Sequence, residues 1–330
     1  MRRTFFAVSF ASALCCVVFS AWGQDLGSKG PFTGLSSVAT MGNFSGDSGG
    51  SSSEIVPGIG RAAFNVGYAK LQADASFNQE GNPALISLTH RYRLKGIWYE
   101  LLQQIFVTNK VGMVFNGSYL ESARETMGEE ALFPGGFSIT RLWATSTQLW
   151  GVGGGMTYNV TKGTTAIGGV NYNAFDLKFL TTLEDSGGQA FVRPQSHVAV
   201  RIWSPYLGLV LNQNSSRATM SLGVIACPVI LGSLDYALAG SVPGLPSGAN
   251  GGLRNSRFLT FNADYSLKLL GGAANIGAFA RWTIIPAEFD LTLQPGPGPP
   301  PPGSANIQIK ANAQLLTLGA TGTFYFKLPI

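Results

Sequence analysis

Apolar residues at every second position are the feature of this chain that most restricts its fold. Residues 316–328 read LTLGATGTFYFKL, and their apolar side chains alternate with threonine, tyrosine and lysine. A period of two belongs to a β-strand, whose successive side chains point to opposite faces, and not to a helix. The segment is therefore predicted to be a strand with one apolar and one polar face.

The same alternation begins at Arg61 and recurs to the end of the chain, with changes of phase. Within residues 84–107 the apolar positions change from even to odd at Lys95-Gly96, and a similar change occurs near Leu315. The change at Lys95-Gly96 predicts either a β-bulge or a tight turn, and the one near Leu315 predicts a bulge. A short helix over residues 98–106 is an alternative, because Trp98 and its apolar neighbours also fit a 3.6-residue period.

The connections between these segments alternate in length. Short ones are predicted at residues 161–163, 212–216 and 270–273, and long ones at 121–142, 181–196, 231–255 and 293–303. Counting back from the last strand gives ten strands if residues 84–107 form one bulged strand. It gives twelve if Lys95-Gly96 is a turn and residues 36–41 add a strand. Ten is the favoured number.

The amino-terminal residues predict export from the cytoplasm. Arg2 and Arg3 precede an apolar stretch over residues 5–19, and Ala21-Trp22-Gly23 forms a small-x-small cleavage site. This is the pattern of a secretory signal peptide, residues 1–23, with cleavage after Gly23. Residues 24–60 are rich in glycine and serine and are predicted to be a flexible leader, followed by one domain over residues 61–330.

Composition excludes several classes of protein. The chain beyond the signal peptide has no uninterrupted apolar run of helical span length, which excludes membrane-spanning helices. It keeps one cysteine, Cys227, so no intramolecular disulfide is predicted. The formal net charge of +5 becomes +3 when Arg2 and Arg3 are removed, which is too small to predict nucleic-acid binding.

The pattern over residues 61–330 resembles the general class of bacterial outer-membrane β-barrel proteins. Its strand alternation, its rhythm of short and long connections, its signal peptide and its low charge content of 12% all agree with that class. The resemblance implies an all-β fold, a transmembrane antiparallel up-and-down barrel of about ten strands, with short periplasmic turns and long extracellular loops. Apolar faces are expected to contact lipid, because only a closed barrel satisfies its strand backbone there.

The resemblance also implies partners and a location. The expected location is the outer membrane, with membrane lipid and the barrel-assembly machinery as partners and an unidentified ligand at the surface. The carboxyl terminus departs from the class, which usually ends in an aromatic residue, because this chain ends in Pro329-Ile330.

Charged residues on the polar face of the predicted strands are the candidate functional residues. As a pore lining they favour anions, whereas in a packed lumen they pair with carboxylates and do not conduct. The candidates for the lumen are Arg91, Arg93, Lys95, Arg201, Asp264, Lys268, Arg281 and Lys310.

Catalytic, metal and cofactor sites are not predicted. The chain has two histidines, of which His90 shares a face with apolar residues and His197 follows Ser196, whose side chain points to the opposite face. The leading hypothesis is therefore a non-enzymatic barrel with a structural or surface-interaction role. The alternatives are a narrow channel or carrier for small, anionic solutes, and an outer-membrane hydrolase.

Overall fold

The chain folds as an all-β protein. The computed structural model describes residues 59–79, 87–122, 125–132, 138–184, 190–237, 247–270, 273–294 and 306–327, so the predicted signal peptide and residues 24–58 of the predicted leader lie outside it. The strands of this part are β1 (Ile59–Gln79), β2 (Ser87–Phe106), β3 (Val111–Ser122), β4 (Glu125–Leu132), β5 (Ser138–Thr161), β6 (Thr164–Glu184), β7 (Ala190–Asn214), β8 (Ala218–Cys227), β9 (Leu231–Ala237), β10 (Gly248–Arg254), β11 (Phe258–Leu269), β12 (Ala274–Gln294) and β13 (Asn306–Lys327). Nowhere in these ranges is there a helix long and apolar enough to cross a membrane.

These strands make ten passes of one wall, because three passes are each split in two. β3 and β4 both pair with β2 and β5, β8 and β9 both pair with β7, and β10 and β11 both pair with β12. β2 has no turn at Lys95-Gly96, which the alternative of twelve strands required. The prediction of ten strands is confirmed, and the helix considered over residues 98–106 is a strand.

The wall is an antiparallel barrel that closes on itself. β1 pairs with β2 on one side and with β13, the last strand of the chain, on the other. The remaining passes follow in chain order, and β8 and β9 pair with β11 and β10 across the middle of the chain. A closed wall has no open edge strand whose backbone groups lack partners.

The two ends of the barrel differ in their connections, as the sequence predicts. Tight turns at residues 107–110, 162–163 and 215–217 lie at the end where β1 begins and β13 finishes, called here the turn end. The end of β11 and the start of β12 lie there too. Linkers at 80–86, 133–137, 185–189, 238–247 and 295–305 join the strands at the opposite, loop end. Most of what the sequence predicts as long loops is strand, because β4, β9, β10 and the ends of β5, β6 and β7 occupy it.

A true phase change occurs at two places that flank the long loop predicted at residues 231–255. Residues 228–230 interrupt the pass of β8 and β9, and residues 255–257 interrupt that of β10 and β11 beside it. Pro228 has no N–H for the ladder, and Asn255 has a positive φ of 50°. Ser256 restores contact with the next strand, because its Oγ accepts a hydrogen bond of 3.0 Å from the Glu288 N–H.

The bulges predicted at Lys95-Gly96 and near Leu315 are absent. β1 pairs with β2 and with β13 in a constant register from end to end, so each strand keeps the same alternation of faces throughout. In β2 the even-numbered side chains from Leu94 to Phe106 point inward, and in β13 the odd-numbered ones do. At these positions the side chains keep their inward or outward direction. The sequence pattern changes because the inward face passes from polar to apolar residues, and the outward face from apolar to polar ones.

In the turn-end half of the barrel, the outer face is apolar and the lumen is largely polar. Outward side chains such as Phe64, Ile97, Leu209 and Leu318 are exposed. Inward side chains such as Asn65, Asn173, Thr260 and Thr317 are buried. This outer surface, named the apolar belt, suits contact with lipid rather than water.

The loop-end half has the reverse arrangement. Its buried inward side chains are apolar, as at Leu71, Leu94, Ile285 and Leu315, and its outward ones are polar and exposed, as at Gln72, Arg93, Lys178 and Asp290. The chemistry reverses at one level in three neighbouring strands, because Leu71 pairs with both Leu94 and Leu315. This half has the arrangement of a water-soluble protein, with an apolar core and a polar surface.

The strands are longer than a membrane requires. A tilted spanning strand needs about 9–11 residues. β1 has 21 residues and β7 has 25. About half of each strand therefore extends beyond the apolar belt, and that half is the one with the polar surface.

Candidate functional site

A buried ion pair in the lumen of the turn-end half joins β12 to β2, past the two strands between them, β13 and β1. Arg281 in β12 donates hydrogen bonds of 3.2 Å and 2.9 Å to the two carboxylate oxygens of Glu100 in β2. Both side chains are 0% exposed. Asn65 in β1 also donates to Glu100, and the guanidinium of Arg281 lies 4.3 Å from the ring centre of Phe279. A two-point contact of this kind fixes the orientation of both groups.

A second buried acid and base lie in the same half of the lumen. Asp264 in β11 accepts hydrogen bonds from the Ser221 hydroxyl at 3.3 Å and from the Asn262 amide at 3.2 Å. Arg61 in β1 is buried and donates to the Thr323 hydroxyl at 3.5 Å. Together with Arg281 and Glu100, these groups give two buried positive charges and two buried negative charges, which balance.

Large side chains fill the remainder of the lumen. Trp98, Phe106, Leu102, Leu120 and Tyr206 are among the largest fully or almost fully buried side chains, and all of them point inward. Tyr206 lies over Gly155 and Gly169, because its hydroxyl occupies the space that a Cβ at either glycine would take. Above them, the apolar core of the loop-end half is also buried. Side chains that point into the described lumen are thus buried at both levels.

The structure divides the sequence-predicted lumen residues into two groups. Asp264, Lys268 and Arg281 lie on the inward face of their strands. Arg93, Lys95, Arg201 and Lys310 lie on the outward face of the loop-end half, contrary to the prediction. They were assigned to the lumen because they oppose an apolar face, and in this half the apolar face is the inner one. Arg91 lies opposite Asp74 in the β-ladder, and its side chain is outside the described residues.

Sequence reasoning missed Glu100, Asn65 and Arg61. Glu100 interrupts an apolar stretch between Trp98 and Leu102, and a carboxylate there requires a partner when the wall is buried. That interruption was the available signal. Its partner Arg281 is 181 residues away in the sequence, so the pairing can be recognised only once the barrel is closed.

The outward face carries one compact polar cluster. The His197 Nε2 atom lies 2.6 Å from Asp176 Oδ1, and Arg201 donates to Asp176 Oδ2 at 3.3 Å. Arg201 also donates to the backbone carbonyls of Phe175 and Val200. Ser196 is buried on the opposite face of the strand. The side chain of His90 lies outside the described residues.

Aromatic side chains lie next to this cluster, at the upper edge of the apolar belt. Trp150, Tyr172 and Trp203 form a continuous row, with ring centres 5.6 Å and 4.8 Å apart. Such rows are typical of the level at which a barrel meets the polar surface of a membrane. Among the described residues, no group of three His, Cys, Asp or Glu side chains is placed to hold a metal ion.

Comparison with solved structures gives the fold class. The chain is similar to the outer membrane protease OmpT from Escherichia coli, with 9% identity and a TM-score of 0.57, over 82% of this chain and 98% of that one. Other matches are the translocator domain of the autotransporter NalP from Neisseria meningitidis and the P. putida toluene transporter TodX. NalP has 13% identity over 83% of this chain and 90% of that one, and TodX has 10% over 81% and 90%.

The similarity to OmpT confirms the resemblance to bacterial outer-membrane β-barrels at the level of fold class. The TM-scores of NalP and TodX, 0.40 and 0.30, are too low to support an argument. No protein-family model and no curated protein matches the sequence. The chain therefore has the fold of a bacterial outer-membrane β-barrel, and its activity must be argued from its own residues.

Proposed function

We propose that this protein is a non-enzymatic outer-membrane barrel with a closed lumen, whose role is structural or surface-interacting. The observation that supports a closed lumen is the Arg281–Glu100 pair, which lies in the polar half with both side chains at 0% exposure. A water-filled channel leaves its lining side chains exposed to solvent, and that is not the state of these residues. Barrels of about eight strands are filled by side chains, whereas open aqueous channels have about 16–18.

The loop-end half is the part proposed to contact partners. In outer-membrane barrels the long connections face the outside of the cell, so this half extends outward from the lipid. Its packed core holds the wall rigid, and its polar outer face presents charged groups such as Arg254 and Asp290 to water. Export through the predicted signal peptide and insertion by the barrel-assembly machinery belong to this proposal.

Conductance across a planar bilayer tests the closed lumen. We expect no steady unitary conductance from the purified, refolded chain. A double variant, Arg281→Ala with Glu100→Ala, removes the buried pair of the polar half, and the matched control Arg254→Ala with Asp290→Ala removes an exposed pair. Ion-selective conductance in the unmodified chain that changes in the lumen variant, and not in the control, would instead establish a narrow channel.

A hydrolase is the alternative that the His197–Asp176 contact favours, because such a pair can activate a nucleophile. Both carboxylate oxygens of Asp176 are engaged by His197 and Arg201, and the cluster is on the outer wall beside Trp203. We expect no peptidase or phospholipase activity above background from the purified chain. An activity that is lost in His197→Ala and kept in Lys178→Ala would replace the proposal with an enzyme.

A further inference from the structure

Three consecutive turns at the turn end each carry one exposed cation. Lys110 lies between β2 and β3, Lys162 between β5 and β6, and Arg217 between β7 and β8. Because β3 pairs with β5 and β6 pairs with β7, these turns follow one another around the rim. Neighbouring strands lie about 4.8 Å apart, which spaces the turns roughly 10 Å from each other. The three cations are called here the basic arc.

Each turn of the basic arc is held by the same kind of local contact. A Ser or Thr hydroxyl accepts a hydrogen bond from the backbone N–H two residues later. The pairs are Thr108 with Lys110 at 3.2 Å, Thr161 with Gly163 at 3.3 Å and Ser215 with Arg217 at 3.4 Å. Contacts of this type fix the backbone of a turn. The cations are therefore presented at set positions on the rim.

No exposed acid accompanies the basic arc among the described residues. In the turn-end half the described acidic side chains are Glu100 and Asp264, and both are buried in the lumen. The loop-end half differs, because acids and bases are mixed on its outer face, as in the exposed pair of Arg254 and Asp290. In the described part of the turn end, the exposed charge is therefore entirely positive.

The apolar belt extends as far as these turns. Val107, Val160 and Leu211, which lie at or near them, are all exposed. In β6, about ten residues run from Thr164, beside the turn, to Asn173, the last polar inward residue before the apolar core. A tilted spanning strand needs about 9–11 residues. One surface of the lipid therefore lies at the basic arc, and the other lies where the faces exchange their chemistry.

We propose that the basic arc binds the phosphate groups of anionic phospholipids in the leaflet at the turn end, whose acyl chains lie against the end of the apolar belt. Ammonium and guanidinium groups both bind phosphate oxygens. A lipid is the chosen occupant because the belt reaches the cations, which places them at the level of the headgroups. The proposal takes from the proposed function only that the belt lies in lipid, and it does not depend on a closed lumen.

Native mass spectrometry of the purified chain tests the site. The refolded barrel in dodecyl maltoside is titrated with dioleoylphosphatidylglycerol, or with dioleoylphosphatidylethanolamine, which has the same acyl chains and no net charge. The triple variant Lys110→Gln, Lys162→Gln, Arg217→Gln removes the basic arc. The matched control Arg93→Gln, Arg254→Gln, Lys310→Gln removes the same charge from the outer face of the loop-end half.

We expect the unmodified chain to bind phosphatidylglycerol at least about tenfold more tightly than phosphatidylethanolamine, because each basic group near an anionic lipid surface contributes several-fold to binding. The triple variant is expected to lose this preference and the control to keep it. Added salt is expected to weaken the preference. Folding of every variant is checked by its faster migration on a gel when unboiled, so that loss of the site is distinguished from loss of the barrel.

Three results would overturn the proposal. Equal affinity of the unmodified chain for the two lipids shows that the turn end does not select anionic headgroups. A preference that survives in the triple variant shows that other groups provide it. Displacement of phosphatidylglycerol by excess inorganic phosphate shows a site for free anions and not for lipid. A preference that resists inorganic phosphate and requires the basic arc supports the lipid site.

Discussion

At the scale of single residues, the lumen depends on charges that are buried only because they are paired. Glu100 accepts hydrogen bonds from Arg281 and Asn65, and none of these side chains has access to water. Transferring either charge from water is costly, and the geometry of the pair offsets that cost. Removing one partner leaves the other charge buried and uncompensated.

Glu100→Ala is therefore expected to lower the free energy of unfolding by about 3–5 kcal/mol. The exposed pair Arg254–Asp290 offers the comparison, because its side chains are 63% and 51% accessible, and Asp290→Ala is expected to cost no more than about 1 kcal/mol. Urea titration of the refolded proteins in lipid vesicles measures both. Similar midpoints for the two variants would contradict the assigned role of Glu100.

Glycine allows two strands of the wall to approach closely. A Cβ at Gly155 would meet the backbone carbonyl oxygen of Gly168 and, at 2.6 Å, the hydroxyl of Tyr206. Gly322, on the outward face of β13, has no atom within 4 Å of the same position. Gly322 is therefore the control for Gly155, because the same substitution meets no neighbouring atom there.

Gly155→Ala is expected to destabilise the barrel by about 1–3 kcal/mol, because an extra methyl group must displace backbone or Tyr206. Gly322→Ala is expected to leave stability nearly unchanged. The fraction of unboiled protein that keeps its fast gel migration at rising urea concentration distinguishes them. A Gly155→Ala variant as resistant as Gly322→Ala would show that β5 and β6 adjust without cost.

At the scale of the strand, alternation and chemistry carry different information. The sequence predicts the alternation and the number of passes correctly, because these depend on local periodicity. It places the short turns at the right end but assigns to loops several segments that are strands. It misplaces bulges at Lys95-Gly96 and Leu315, because alternation says which residues share a face and not which face looks inward. Lys95 and Lys310 were placed in the lumen for the same reason. The pairing of Arg281 with Glu100 could not be predicted from the sequence, since it requires contacts between strands that are far apart in the chain.

β1 contains both halves of this arrangement and gives a test within one strand. Val66 and Gln72 share its outward face, one on the apolar belt and the other beyond it. Val66→Arg is expected to destabilise the barrel by roughly 2–4 kcal/mol in vesicles, the cost of a basic side chain facing the middle of the lipid. Gln72→Arg is expected to be near neutral. If urea titration gave the same loss of stability for Val66→Arg and Gln72→Arg, the membrane could not lie at the level of the apolar belt.

At the scale of the whole molecule, stability depends on closure between the two ends of the chain. β13 pairs along its length with β1 and with β12, so its removal would leave two long edges open in lipid. Unpaired backbone groups cannot be satisfied there. The loop-end half loses part of its core as well, because Ile309, Ala313 and Leu315 belong to it.

A chain that stops before Asn306 is therefore expected not to fold. The unboiled sample of the full-length protein is expected to migrate faster than the boiled one, and the truncated chain is expected to migrate at one position under both conditions. Adding β13 as a separate peptide tests whether pairing, rather than covalent continuity, is what closes the wall. A heat-modifiable band from the truncated chain alone would contradict this account.

The level at which the strands exchange their polar and apolar faces also sets how deeply the molecule is immersed. The upper margin of the apolar belt marks the level at which the outer wall passes from lipid to water. Replacing the first polar outward residue on every strand by leucine would raise that margin by two residues, or roughly 6–7 Å along the strand. The barrel would settle further into the lipid, with the same backbone and fewer of its charges above the surface.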